Sequence, residues 1–175
     1  MKEGDRPARR PAHPRTSHSA PGSRRTSGAR FFASQAPALR ALPFSEAVRA
    51  GDFLFVSGQI GSAPGTAEPV PGGIAAESRR AMENVREVLR RRGASLHDVV
   101  KFTVYLADIG EWSAFNEVYR RFFGERFPAR SALGASGLAK GARVELDCVA
   151  YAPGRRLRGL VRASKRAAGT ATGRD

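Results

Sequence analysis

Between residues 99 and 107 apolar and polar side chains change places at every step: Val100, Phe102, Val104 and Leu106 alternate with Lys101, Thr103 and Tyr105. A strand sends successive side chains to opposite faces, so this run has one strongly apolar face that must be covered and one face that need not be. On either side the period changes. From Ile74 to Arg92, the residues Ile74, Ala81, Met82, Val85, Val88 and Leu89 recur at three- and four-residue intervals, which predicts an amphipathic helix stopped by Gly93. Arg90, Arg91 and Arg92 in its last turn read as a solvated face that complements the helix dipole. Trp112, Phe115, Tyr119 and Phe122 are spaced by three, four and three, predicting a second helix over 111–123 whose aromatic stripe belongs to the core.

Two strands precede these elements, Phe44–Val48 and Phe53–Ser57, joined by a turn at Arg49-Ala-Gly-Asp52; a Gly- and Pro-rich surface loop then runs to Gly73. The last unit reads as a hairpin, with strands Arg130–Ala135 and Ala142–Ala150 around a turn at 137–141. In its second strand Val144, Leu146 and Cys148 share one face, and Arg143, Glu145 and Asp147 share the other. The order ββαβαββ predicts an α+β sandwich, two helices packed on one face of a mixed sheet.

The formal charge of +14 would suit a nucleic-acid partner, but its placement argues otherwise. Residues 1–40 carry a net +7 and 154–175 a net +6, leaving +1 for 41–153. Residues 1–40 read as a disordered basic extension rich in Pro, Ser and Arg, 41–153 as the folded domain, and 154–175 as a disordered basic tail. Nucleic acid is therefore expected to bind at most weakly, through the tails. The acid-free stretch from Arg6 to Arg40 also has the composition of an organellar transit peptide, although Pro7, Pro11, Pro14 and Pro21 would break the helix such a peptide needs; a wrongly chosen start codon would leave the same trace. No run of about 18 apolar residues occurs. A cytoplasmic location is the expectation, with organellar targeting the alternative. Cys148 reads as a core residue, and His13, His18 and His97 are too scattered for a zinc site, so no metal is expected.

If residues 130–135 and 142–150 form a hairpin with its turn near 138–139, Arg130 falls opposite Asp147. Either Arg130 grips a substrate carboxylate while Asp147 orients a water, or the two form an ordinary cross-strand ion pair. The hairpin alone leaves both open.

The string Pro128-Ala-Arg-Ser-Ala-Leu-Gly-Ala-Ser-Gly-Leu138 with Val144-Glu-Leu146 resembles the C-terminal signature of the Rid/YjgF family of reactive-intermediate deaminases. Pro43-Phe-Ser-Glu-Ala-Val48, Val56-Ser-Gly-Gln-Ile60, Asp98-Val-Val-Lys-Phe-Thr-Val-Tyr-Leu106 and Phe115-Asn-Glu-Val-Tyr119 fall in that family's order and spacing. The resemblance covers roughly 41–151. It implies a chorismate-mutase-like, trimer-forming fold with substrate clefts between subunits, and a cofactor-free enzyme acting on small imino acids. By the same resemblance Arg130 holds the substrate carboxylate and Asp147 stands where deaminases carry the longer glutamate that activates water, with Glu145, two residues away on the same face, the other candidate acid. Asn116, Tyr119, Ser57 and Gly58 line the cleft, Phe44 replaces a cleft tyrosine, and Ala132 stands where cysteine is frequent.

The first functional expectation is hydrolysis of 2-iminopropanoate- and 2-iminobutanoate-type acids to 2-oxo acids and ammonia. An imine carbon is already electrophilic, so neither metal nor covalent nucleophile is required. Because Phe44 and Ala132 remove polar or reactive groups, a non-catalytic trimeric carboxylate-binding or regulatory protein is the second. An RNA-directed role through the basic tails is the third.

Overall fold

The computed structural model describes residues 28–153. Six strands and three helices follow one another as β1 (Arg30–Phe32), α1 (Pro37–Arg40), β2 (Ala47–Ala50), β3 (Phe53–Ile60), α2 (Gly73–Arg91), β4 (Val99–Leu106), α3 (Trp112–Tyr119), β5 (Ala129–Gly134) and β6 (Val144–Tyr151). The strands form one mixed sheet in the order β1-β2-β3-β6-β4-β5. α2 and α3 cover one face, as the alternation in β4 and β6 requires; Leu54, Val56, Phe102, Val104, Val144, Leu146 and Cys148 point into that layer against Met82, Val85, Leu89 and Phe115. The α+β fold read from the sequence is the fold observed.

Its wiring differs from the expectation in one respect that matters for function. β5 and β6 do not form a hairpin: β5 runs parallel to β4 at the edge of the sheet, and β6 lies between β3 and β4, antiparallel to both. Burial explains the choice. The row Val144, Leu146, Cys148 and Ala150 is at most 1% exposed and needs the centre of the sheet, whereas β5 is half-buried or exposed throughout and suits an edge. The segment between them crosses the end of β4 through a short 3₁₀ turn at Ala139–Gly141.

Three smaller differences have local causes. A register irregularity between Val99 and Lys101 turns Val99 inward, leaving Val100 exposed. The second helix is shorter than 111–123, being 112–119 flanked by 3₁₀ turns at Ile109–Glu111 and Arg120–Phe122. The expected disordered extension is also too long: Arg30–Phe32 pairs with Ala47–Arg49, and Phe32 packs against the core beneath the Arg92 guanidinium, 4.4 Å from its ring centroid. The rest of that extension, 1–27, and the tail 154–175 lie outside the described residues.

Two buried carboxylates fix α2 to the sheet. At its first turns Glu77 accepts a hydrogen bond from the backbone N–H of Arg143, just before β6, at 2.8 Å. Here the helix comes so close to the end of β3 that a Cβ at Gly61 would lie 2.5–2.9 Å from Glu77 backbone atoms. At its far end Glu46, beside β2, takes Arg91 at 2.7 Å and Arg92 at 3.1 Å. Glu46→Gln would leave two mostly buried guanidinium groups short of an anion. Since both keep some solvent contact (22% and 13%), the expected cost is about 2–3 kcal/mol, below that of a fully buried pair. Urea unfolding checks this, and a loss under about 0.5 kcal/mol would place the cluster among ordinary surface bridges.

Candidate active site

The sheet divides the sequence-predicted site residues into two groups, one on each side. Arg130 is in register with Phe102, whose buried ring faces the helices, so Arg130 projects to the helix side at the sheet edge. Its guanidinium lies 4.7 Å from the Tyr119 ring centroid, 5.7 Å from Phe115 and 5.9 Å from Trp112. The predicted aromatic stripe is thus core on one flank and a wall for this cation on the other, a contact that orients the planar group while leaving its N–H edges free. Among the described residues Arg130 makes no ion pair. It borders a cavity of about 340 Å³ lined by Asn116, Tyr119, Arg120, Phe127 and Pro128. Ala132 follows on the same side, packed against the core. The Tyr119 hydroxyl is buried without a hydrogen-bond partner among the described residues; burial pushes its pKa up to about 12, with Arg130 pulling the other way.

The second group occupies the uncovered face. Alternation along β6 turns Glu145 and Asp147 away from the core. Asp147 is engaged: the Tyr105 hydroxyl donates to its Oδ2 at 3.0 Å. That bond, with burial and the charge of Asp147 adding to it, raises the Tyr105 pKa. Glu145 instead lies against Gly58, where a Cβ would overlap its carboxylate. Burial, then the neighbouring charge of Asp147, holds the Glu145 carboxyl above the usual range. Ser57 and Gly58 sit in the irregularity of β3 between Val56 and Gln59, the kind of bulge that re-aims a strand at a site. The Ser57 hydroxyl donates to the Ser45 carbonyl at 2.6 Å, next to the half-exposed Phe44.

Arg130 and Asp147 therefore do not face each other, and the expected cross-strand pairing is not formed. In register, β4 stands between them, with Phe102 beside Arg130 and Thr103 beside Asp147, and the two side chains leave opposite faces of the sheet. Tyr105 is the residue that sequence reasoning passed over. Its polar-face position was legible, but its partner depended on knowing that β6 pairs with β4. Among the described residues no group of three or more His, Cys, Asp or Glu is placed to hold a metal ion, and no helix is long and apolar enough to cross a membrane.

A family model described as Endoribonuclease L-PSP matches residues 34–152. A RutC family protein of Pyrococcus abyssi is 46% identical over 109 residues, spanning 62% of this chain and 86% of that protein. The 2-iminobutanoate/2-iminopropanoate deaminase of Homo sapiens is 42% identical over 108 residues, 62% of this chain and 79% of that protein. Among solved structures, RidA from an Antarctic Psychrobacter species aligns with a TM-score of 0.64 at 33% identity, covering 70% of this chain and 98% of that one. E. coli TdcF with bound serine aligns with a TM-score of 0.63 at 30% identity, covering 70% and 98%.

The bond between Tyr105 and Asp147 has a spectroscopic consequence. Because the carboxylate accepts from the hydroxyl and repels a phenolate, Asp147→Asn should lower the Tyr105 pKa toward its ordinary value of 10.0. Alkaline difference absorbance should show one tyrosine titrating earlier in Asp147→Asn, and the same tyrosine missing in Tyr105→Phe. Superimposable curves for Asp147→Asn and the unmodified protein would remove the bond from the account.

Proposed function

The chain belongs to the endoribonuclease L-PSP family, the family of the Rid and YjgF proteins, and we propose that it is a cofactor-free hydrolase converting small 2-imino acids to 2-oxo acids and ammonia. The observation that carries this reading is Arg130: a guanidinium without an ion pair among the described residues, set over an aromatic wall at a small cavity, an arrangement suited to gripping a carboxylate through two parallel N–H bonds.

The reaction needs a base to deprotonate water, and we assign that role to Glu145 in place of Asp147. Three features support the change: Asp147 accepts from Tyr105, Glu145 is turned toward the Ser57–Gly58 bulge, and its raised pKa makes it the stronger base. Water attacks the protonated imine carbon as Glu145 takes its proton, giving a carbinolamine. Glu145 then returns that proton to nitrogen and takes the hydroxyl proton as the C–N bond breaks and the C=O bond forms. Ammonia leaves and carries the hydroxyl proton away from Glu145, with the 2-oxo acid left behind.

Arg130 and Glu145 leave opposite faces of one sheet, so a single small substrate meets both only if they come from different copies. The uncovered face carries an aromatic row suited to association: Phe53, Phe55 and Tyr151 are each 43–46% exposed and in ring contact. We therefore propose a homotrimer with each cleft built from the Arg130 side of one subunit and the Glu145 side of the next.

Freshly generated 2-iminopropanoate, with ammonia release as the readout, tests this. Arg130→Lys should lower turnover by about 100-fold or more through loss of the paired N–H geometry. Glu145→Gln should abolish turnover but spare binding of a 2-oxo acid, and the unmodified enzyme should lose kcat/KM on the acid side at a pKa above 4.5. Arg130→Ala and Glu145→Gln chains, each inactive, should recover about a quarter of full activity when unfolded together and refolded at equal amounts, since random assembly gives that share of intact clefts. Inactive mixtures would overturn the shared site. Ammonia release at the buffer rate alongside tight 2-oxo acid binding would instead favour the non-catalytic carboxylate-binding reading, which the loss of a hydroxyl at Phe44 motivates.

A further inference from the structure

On the outer side of the helix layer a groove of about 540 Å³ runs between α2 and the end of α3. Its size falls within the range of small-molecule sites, about 300–1,000 Å³. Arg79 and Arg86 line it from α2, seven positions apart and so on one helix face, and Arg121 closes it from the opposite side. Ser95 and His97 stand at its end, and the floor is apolar, made by the buried Leu96 and Val118 and the half-buried Phe122.

Several arginines nearby or on the same helix have an acid partner. Arg80 is matched to Glu83 and Glu87, Arg91 and Arg92 to Glu46, and Arg143 to Glu111. Arg79, Arg86 and Arg121 make no ion pair among the described residues, although all three border one concavity. Glu83, the acid on the wall, is drawn off by Arg80 at 3.0 Å. The Arg86 guanidinium carbon lies 6.0 Å from the Phe122 ring centroid, joining the cationic rim to the aromatic floor.

Three free guanidinium groups over an aromatic floor fit a ligand with clustered negative oxygens and a flat apolar part. We propose that this groove is a second ligand site, taking the phosphates of a nucleotide-sized molecule on Arg79, Arg86 and Arg121 and its ring system against Phe122. The site is separate from the Arg130 cavity, which lies on the other flank of α3 with Asn116, Tyr119 and Arg120. Phosphate suits it because a phosphate group presents several anionic oxygens to guanidinium forks at once.

The test is calorimetric titration of the full chain with ADP at physiological salt. Comparing variants that all keep both basic termini separates the groove from non-specific attraction. Saturable binding of one ADP per chain is expected. It should weaken about tenfold or more in the double variant Arg86→Ala/Arg121→Ala, for the loss of two charge-assisted contacts, and stay unchanged in Arg90→Ala, outside the groove. Phe122→Leu should weaken ADP but not inorganic pyrophosphate. The arginines are exposed, so the double variant should melt with the unmodified chain and remain a fair comparison. Unsaturable binding, equal binding by the double variant, or binding of single-stranded RNA through these arginines without any of ADP would each overturn the proposal.

Discussion

Everything in the molecule's arrangement follows from where β6 lies. Placed between β3 and β4, the strand buries Val144, Leu146, Cys148 and Ala150 against the helices. Because its side chains alternate, the same placement commits Glu145 and Asp147 to the other face. No local rearrangement can separate these two outcomes. A one-residue slip would carry both acids into the core and the apolar row to the surface. The acidic face is thus a geometric by-product of the best core the sequence offers, and Arg130, on the helix side of β5, is excluded from it by the same rule.

The helix layer gives these positions their rigidity. Glu77 and Glu46 hold the two ends of α2 to the sheet, and the close approach at Gly61 keeps the helix seated next to the β3 bulge. Across the layer, Tyr119 touches Phe102, Phe115, Phe123 and Phe127 while presenting its ring face to Arg130. The orientation of this cation is therefore set by the core. The groove proposed for phosphates borrows the same framework, since its floor residues Val118 and Phe122 belong to α3 and the turn that follows.

Much of the fold was legible in the sequence because periodicity reports burial directly. Apart from Val100, which the register irregularity in β4 turns outward, the residues that make β4 and β6 one-sided are the ones found inside, as are Ala81, Met82, Val85, Val88 and Leu89 of α2. Arg130 was recognisable from its motif. What periodicity does not report is which strands are neighbours. Residues 130–135 and 142–150 are consecutive and separated by a glycine-bearing segment, so a hairpin was the economical reading; the small and polar side chains of β5, which suit an edge, were the overlooked counter-signal. That single error in pairing set Arg130 opposite Asp147 and hid the bond between Tyr105 and Asp147. β1 escaped notice for another reason: three residues are too few for a pattern, and Phe32 is held by a contact with Arg92, sixty positions away.

β1 has a bearing on how copies of this chain can meet. An exposed strand edge is a template on which further strands can polymerise without limit. Among the described residues the edge at this end of the sheet is three residues long, and its first backbone pairing sets Arg30 beside Arg49, so an incoming copy meets little backbone there and a concentrated positive field. Edge-to-edge addition is discouraged there. At that end of the sheet, a device of three residues works against open-ended growth.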